Sequence, residues 1–395
     1  MRPTSFSVSI LLLLASGCRE TPVQPTAVTT ALTASAAPGY TAIDLGTLGG
    51  PSSQAIAINA AGQVMGVSWV PSGEYHGFLW DRGTVIDLTP PGGTYNLPVA
   101  MNDAGQITSF SEVAGDPRGH GFLWDHGTIT DLGNLGGGSL SDYDLTTPTD
   151  INAAGQVVGG SLTADGHLHA FLWDRGTMTD LGALPGDGFS IARAINAAGQ
   201  VVGMSCVGAV SQSPCRAVLW AQGAMTALET LGGTLTWATG IDVSGRVVGA
   251  SQAPDNRYYS VLWDRGTMTV IAPFTATFAG AVFMNPKGQI VGGTSSVEQA
   301  FHAFLWYRGT TIDLGTLSGT STSEAFAINP QGQVVGTSWT AFLEEHAFLW
   351  DRATMTELPT LGGCCGGANA INAGGQIVGS SVTATGESHA TLWTR

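Results

Sequence analysis

The nine residues INAAGQVVG, Ile151 to Gly159, recur letter for letter at Ile195 to Gly203 and as INAAGQVMG from Ile58. A phrase written this often at a regular interval commits the chain to a repeat architecture, and that must be recognised before any domain is cut. Eight copies align, with Asn59, Asn102, Asn152, Asn196, Asp242, Asn285, Asn329 and Asn372 at the second position. Each is followed by a tryptophan: Trp80, Trp124, Trp173, Trp220, Trp263, Trp306, Trp350 and Trp393. The Asn-to-Trp interval is 21 residues in six units, 22 in the second and 24 in the fourth, while the links between units run from 22 to 28.

Each unit reads as four strands: residues such as AIAIN, then QVVG, then HAFLWD, then TMTDLG. With 56 glycines, 43% apolar residues and 11% charged residues in 395, short strands joined by tight turns are the expected class. HAFLWD is apolar on both alternating faces, so this strand must be covered on both sides, as in a blade between neighbours. The phrase itself is a turn. Between the first two strands, N-x-x-G-Q supplies Asn to bond the turn backbone and Gly to take φ > 0.

Two complementary defects indicate closure. The last unit ends at Trp393-Thr394-Arg395 without a fourth strand, and GYTAIDLG, Gly39 to Gly46, is a fourth strand ahead of any unit. A ring pairs the two and removes the exposed edges, whereas an open solenoid needs polar caps. The expected fold is all-β: an eight-bladed β-propeller of four-stranded blades at residues 39–395, closed by the N-terminal strand completing the last blade. An open right-handed β-array is the lesser alternative.

Ahead of the repeats, Arg2, the apolar run SVSILLLLA and LASGC ending at Cys18 look like a lipoprotein signal, too short to span a bilayer. Residues 1–17 are then a signal peptide, Cys18 the lipidation site and 18–38 a disordered tether. Plain secretory cleavage near Ala34 to Ala37 is the alternative. Arg19 favours the outer membrane over the inner. The net charge of −15 and a single lysine, Lys287, make nucleic acid and anionic lipid poor partners, so an acyl chain would hold the protein at the membrane.

HAF at His169-Ala170-Phe171, His302-Ala303-Phe304 and His346-Ala347-Phe348, with INAAGQVVG and DLGTLGG at Asp44 to Gly50, resembles the HAF family of exported bacterial repeat proteins. The similarity covers roughly residues 40 to 395 and implies export and repetition; it brings no catalytic residues. The fifth unit departs most, with IDVSGRVVG and YYSVLW.

In a propeller the first-to-second and third-to-fourth turns share one face, and here they are short and nearly invariant. The second-to-third loops and the inter-blade links share the other and differ in every blade. Recognition is usually placed on variable loops over a rigid scaffold. The candidate contacts there are Trp69, Tyr75, Tyr95, Asp142, Tyr143, Asp144, Trp237, Tyr258, Tyr259, Trp339, Glu344 and Glu345. Aromatics beside carboxylates suit sugar rings or basic protein surfaces, so the expected partner is a glycan or a protein at the cell envelope.

His76, His120, His169, His302, His346 and His389 stand four before the tryptophan. Packed, hydrogen-bonded imidazole is the expected state, because sheets lie ~10 Å apart and zinc needs ligands at ~2 Å. His167, His169 and Asp165 form one local cluster. Cys206 and Cys215 are expected to form a disulfide pinning the longer fourth-unit loop; Cys364 and Cys365 are adjacent and allow a vicinal disulfide, other pairings or free thiols. Adjacent cysteines in an eight-bladed ring also bring quinoprotein dehydrogenases to mind, whose tryptophan-docking spacing is missing here. No catalytic motif is legible. No cofactor or metal is expected, and the reading is a non-enzymatic binding or scaffold protein, with a propeller glycoside hydrolase or lyase as the alternative.

Overall fold

The computed structural model describes residues 39–113, 116–137, 146–208, 214–272, 283–295, 301–317, 320–340 and 344–395. The expected signal peptide, Cys18 and the tether lie outside them, as do Asp142, Tyr143 and Asp144. Among the described residues there is no helix. The strands form eight four-stranded antiparallel sheets, seven built from consecutive strands such as Thr147–Ile151, Val157–Leu162, Leu168–Asp174 and Thr177–Gly182. The eighth sheet takes Gly362–Ile371, Ile377–Thr383 and Ser388–Thr394 from one end of the chain and Thr41–Asp44 from the other. The register runs from Thr41 opposite Thr394 to Asp44 opposite Thr391. The protein is a closed eight-bladed β-propeller.

The ring has no single core. Each interface between successive blades holds its own apolar cluster, and the one joining the last blade to the first is built like the others: Val378, Ala390 and Leu392 pack on Ala55, Val64 and Phe78. Phe78, Phe171, Phe304 and Phe348 are fully buried, which is the two-sided coverage that HAFLWD demands. At the turn end of every blade a β-branched residue stands opposite the blade tryptophan, from Val64 opposite Trp80 to Ile377 opposite Trp393.

The repeated phrase closes the hairpin and also joins neighbouring blades. In the third blade the Gly155 amide donates to Asn152 O at 3.0 Å and the Asn152 amide to Gln156 O at 3.0 Å. The Asn152 side-chain oxygen accepts from the amides of Ala154 and Gln156. The eight turn glycines have φ between +73° and +91°, where a Cβ is disfavoured. A Cβ on Gly155 would also lie 3.0 Å from Gln106 Oε1 of the preceding blade.

The Asn Nδ2 then reaches the carbonyl of the equivalent residue in the next blade: Asn102 to Asn152 O at 3.0 Å, Asn152 to Asn196 O at 3.1 Å, and onward to Asn372, which donates to Asn59 O at 3.1 Å. Seven such bonds encircle the axis. The gap falls at Asp242, which has no donor. There Arg246 stands where the other blades have Gln, pairs with Asp242 Oδ2 at 2.6 Å, and donates to Pro286 O at 3.4 Å in the next blade. The departure in the fifth unit thus preserves the inter-blade link by a paired exchange.

Candidate functional site

The variable face is built on a constant frame, and its chemistry changes at one rung. Where the second strand ends and the third begins, the opposed residues are Trp69 and Tyr75 in the first blade, Leu162 and Leu168 in the third, and Cys206 and Cys215 in the fourth. The fifth, seventh and eighth blades have Gln252 and Tyr258, Trp339 and Glu345, and Val382 and Ser388. At the opposite end of the same strands the rung is a β-branched residue facing Trp throughout. The scaffold repeats while this rung does not.

Three of these rungs carry aromatic groups. Trp69, 38% exposed, meets Tyr75 edge-on at 5.3 Å between centroids, and Tyr75 stacks on Tyr95 of the second blade at 6.3 Å. Burial, with a contribution from Tyr95, pushes the Tyr75 phenol up to about 12. Burial also raises Tyr95, helped by Glu112. The lower two rings are therefore neutral, and the indole is the exposed part of the stack. In the fifth blade Trp237 packs on Tyr258 at 5.6 Å. Tyr259, next along the strand, turns the other way and packs against the cluster between the fourth and fifth blades.

The seventh blade contributes carboxylates. Glu344 is exposed at the mouth of the loop, while Glu345 is half-buried beside Trp339. Burial raises its pKa, partly opposed by a hydrogen bond from Trp339. Sequence reading passed over Glu324, which pairs in register with Thr337 on the same sheet. Burial lifts its carboxyl to about 7. In the next blade, a Cβ on Gly367 would lie 2.9 Å from Thr337 Oγ1 and 3.6 Å from Glu345 Oε2.

Because the folded pKa of Glu324 is raised above its ordinary 4.5, its protonation favours the fold at low pH. That contribution is lost as pH rises from about 4.5 through about 7. Glu324→Gln is therefore expected to match the wild type near pH 4 and to exceed it by about 2–3 kcal/mol above pH 8. Urea denaturation at the two pH values checks this; a pH-independent difference would contradict it.

Both cysteine pairs of the repeats are bridged. Cys206–Cys215 is a cross-strand disulfide at the base of the fourth-blade loop, and Cys364–Cys365 is a vicinal one opening the first strand of the eighth blade. Cys364 is exposed on the variable face.

The histidines of the third strand each have a carboxylate of their own on the outer strand: His76 with Asp87 at 2.8 Å, His169 with Asp180 at 2.9 Å, His302 with Asp313 at 2.9 Å and His389 with Asp44 at 2.9 Å. His120 pairs with Asp131 at 3.0 Å and His346 with Glu357 at 2.7 Å. The imidazoles are thus hydrogen-bonded. Their acid partners, eleven residues on in five blades and supplied by Asp44 of the closing strand in the eighth, were missed in the sequence. A signal was present: where His gives way to Arg216 and Tyr259, the position eleven later is Ala227 and Val270. In the cluster singled out at the third blade, His167 takes Asp165 and His169 takes Asp180, so the two do not converge. Among the described residues no group of three His, Cys, Asp or Glu is arranged to hold a metal ion.

No family model matches the chain, and no curated protein matches it either. Solved structures resemble its fold. The β-propeller domain of the trilobed protease from Pyrococcus furiosus has a TM-score of 0.52 at 10% identity, covering 78% of this chain and 97% of that one. A prolyl endopeptidase gives 0.57 at 11%, over 78% of this chain and 50% of its own. Dipeptidyl peptidase 4 of Porphyromonas gingivalis gives 0.56 at 9%, over 89% and 58%. The chain thus spans little more than half the length of these two peptidases, and at such identities the likeness is one of fold. The Pyrococcus domain is described as having an open velcro topology; here Thr41–Asp44 zips onto Ser388–Thr394.

Proposed function

We propose that this chain is a lipid-anchored, extracytoplasmic binding or scaffold protein of the HAF repeat group, acting at the outer membrane or cell surface. It holds a glycan or a protein partner against its variable-loop face. The supporting observation is the contrast between the two ends of the blades. A β-branched residue faces Trp in all eight at one end, and Trp–Tyr, Leu–Leu, Cys–Cys, Gln–Tyr, Trp–Glu and Val–Ser rungs stand at the other. A surface kept only for stability has no need of that variety, whereas an exposed indole on an aromatic support, as Trp69 is on Tyr75, is a usual anchor of recognition.

The test is binding of the mature protein to a panel of envelope glycans and to envelope proteins. Trp69→Ala or Trp339→Ala is expected to weaken capture at least tenfold, about 1.4 kcal/mol, without change in fold. Wild-type binding by both variants would remove the assignment of the face. Cys18→Ala is expected to release the protein from the membrane fraction.

A propeller glycoside hydrolase or lyase is the second reading, and one observation favours it. Glu324, held near 7 by burial, has a pKa suited to general acid work at neutral pH. Turnover of any panel glycan, lost in Glu324→Gln with binding retained, would decide for it.

A further inference from the structure

The first strands of successive blades touch one another around the ring, so they form the wall of the axial channel. Each of the seven fully described ones bulges at the residue three before the turn Asn or Asp. A bulged residue is unpaired in its sheet and must place its side chain by other means. Where it is polar it does so by bonding a strand carbonyl. Thr149 donates to Ala192 O at 3.0 Å, Asn369 to Ala55 O at 2.8 Å and Thr239 to Val248 O at 3.3 Å.

Arg193 is the exception. It occupies the bulge of the strand Phe189–Ile195, and its guanidinium has no acceptor among the described residues. Burial alone acts on it, drawing its pKa down, and no carboxylate offsets that. Among the described residues Arg246, also partly buried, is satisfied by Asp242 at 2.6 Å, and even the exposed Arg216 pairs with Asp187 at 3.0 Å. The acid on the adjacent channel strand, Asp150, is already engaged, its two oxygens accepting from the amides of Ile151 at 2.8 Å and Ile195 at 2.9 Å. In a chain with 29 acidic residues against 14 basic ones, a half-buried arginine with no acceptor among the described residues is a costly arrangement.

We infer that Arg193 anchors an oxyanion site in the axial channel, inside the mouth ringed by the turn asparagines, taking a carboxylate or phosphate group through both arms of the guanidinium. The planar fork matches two oxygens, and neither charge would remain uncompensated in the channel. The site lies away from the variable-loop face and stands independently of the function proposed above.

The experiment uses the mature protein, Arg193→Met and Arg193→Lys. Thermal unfolding and calorimetric titration are run with sodium phosphate, sodium glucuronate and sodium acetate, each against sodium chloride of equal ionic strength. At least one oxyanion is expected to raise the wild-type melting temperature above the chloride control. Which one does so separates a free phosphate from a sugar acid or a simple carboxylate. That rise is expected to vanish in Arg193→Met, and the dissociation constant to weaken at least tenfold in Arg193→Lys, which keeps the charge but loses the fork. Stabilisation no greater than chloride in the wild type, or the same rise in Arg193→Met, would overturn the assignment.

Discussion

Replacing Trp393 with alanine is expected to lower the free energy of unfolding by about 3–5 kcal/mol, near the upper end for a single core truncation. The residue is 1% exposed and lies where three parts of the chain meet. Its ring packs with Tyr40 from the closing segment, with Val335, Leu349 and Leu358 of the seventh blade and with Ile377 of its own. Its indole N–H donates to Pro359 O at 2.6 Å, and its backbone stands opposite Ala42 in the seam. Tyr40 is held in turn by its hydroxyl on Gly375 O at 2.8 Å. Truncation therefore leaves a cavity, an unpaired carbonyl and a loosened closing strand together. Trp80, which is only partly buried, should lose less under the same change. The measurement is the urea midpoint of both variants at constant slope. Equal, small losses at the two positions would show that the seam contributes no more than an ordinary interface.

The second large effect is expected in the fifth blade. Asp242→Ala removes the partner of Arg246 and leaves a cation whose side chain is only 23% exposed, beside a site that was 4% exposed. Breaking a pair of this kind costs about 3–5 kcal/mol. The double exchange Asp242→Asn with Arg246→Gln restores the arrangement of the other blades, in which Asn bonds Gln and donates to the neighbouring carbonyl, as Asn196 does at 2.8 and 3.0 Å. It is expected to fold with stability equal to or above the wild type. Chemical denaturation of the two single variants and the double measures the coupling directly. Additive losses in the double would mean that the exchange is not a unit.

What could be read in the residues followed from periodicity. The turn glycines, the order of the four strands, the two-sided third strand and the N-terminal strand completing the last blade are all local or cyclic properties, and periodicity reports them well. Groups whose meaning depends on register were harder. His76 and Asp87 meet only because a tight turn folds the fourth strand back on the third, a pairing across the blade that periodicity along the repeats does not report. Glu324 is an unremarkable letter until its strand is packed against neighbouring blades. Arg193 shares its bulge with the equivalent residues of the other blades and differs from Thr149, Thr239 and Asn369 in bonding no carbonyl, which no composition signals. Which turns share a face followed from their alternation alone, but Tyr258 and Tyr259, adjacent and alike in the sequence, point to opposite sides of one strand.

Binding is proposed for one surface only, the variable-loop face. A photo-crosslinking amino acid placed at Trp339, on the variable rung, and in a second protein at Ala154, in the NAAGQ turn, tests it in intact cells. Capture of a specific partner from position 339 and none from 154 is the predicted result. Capture of the same partner from 154 alone, or equally from both, would contradict it.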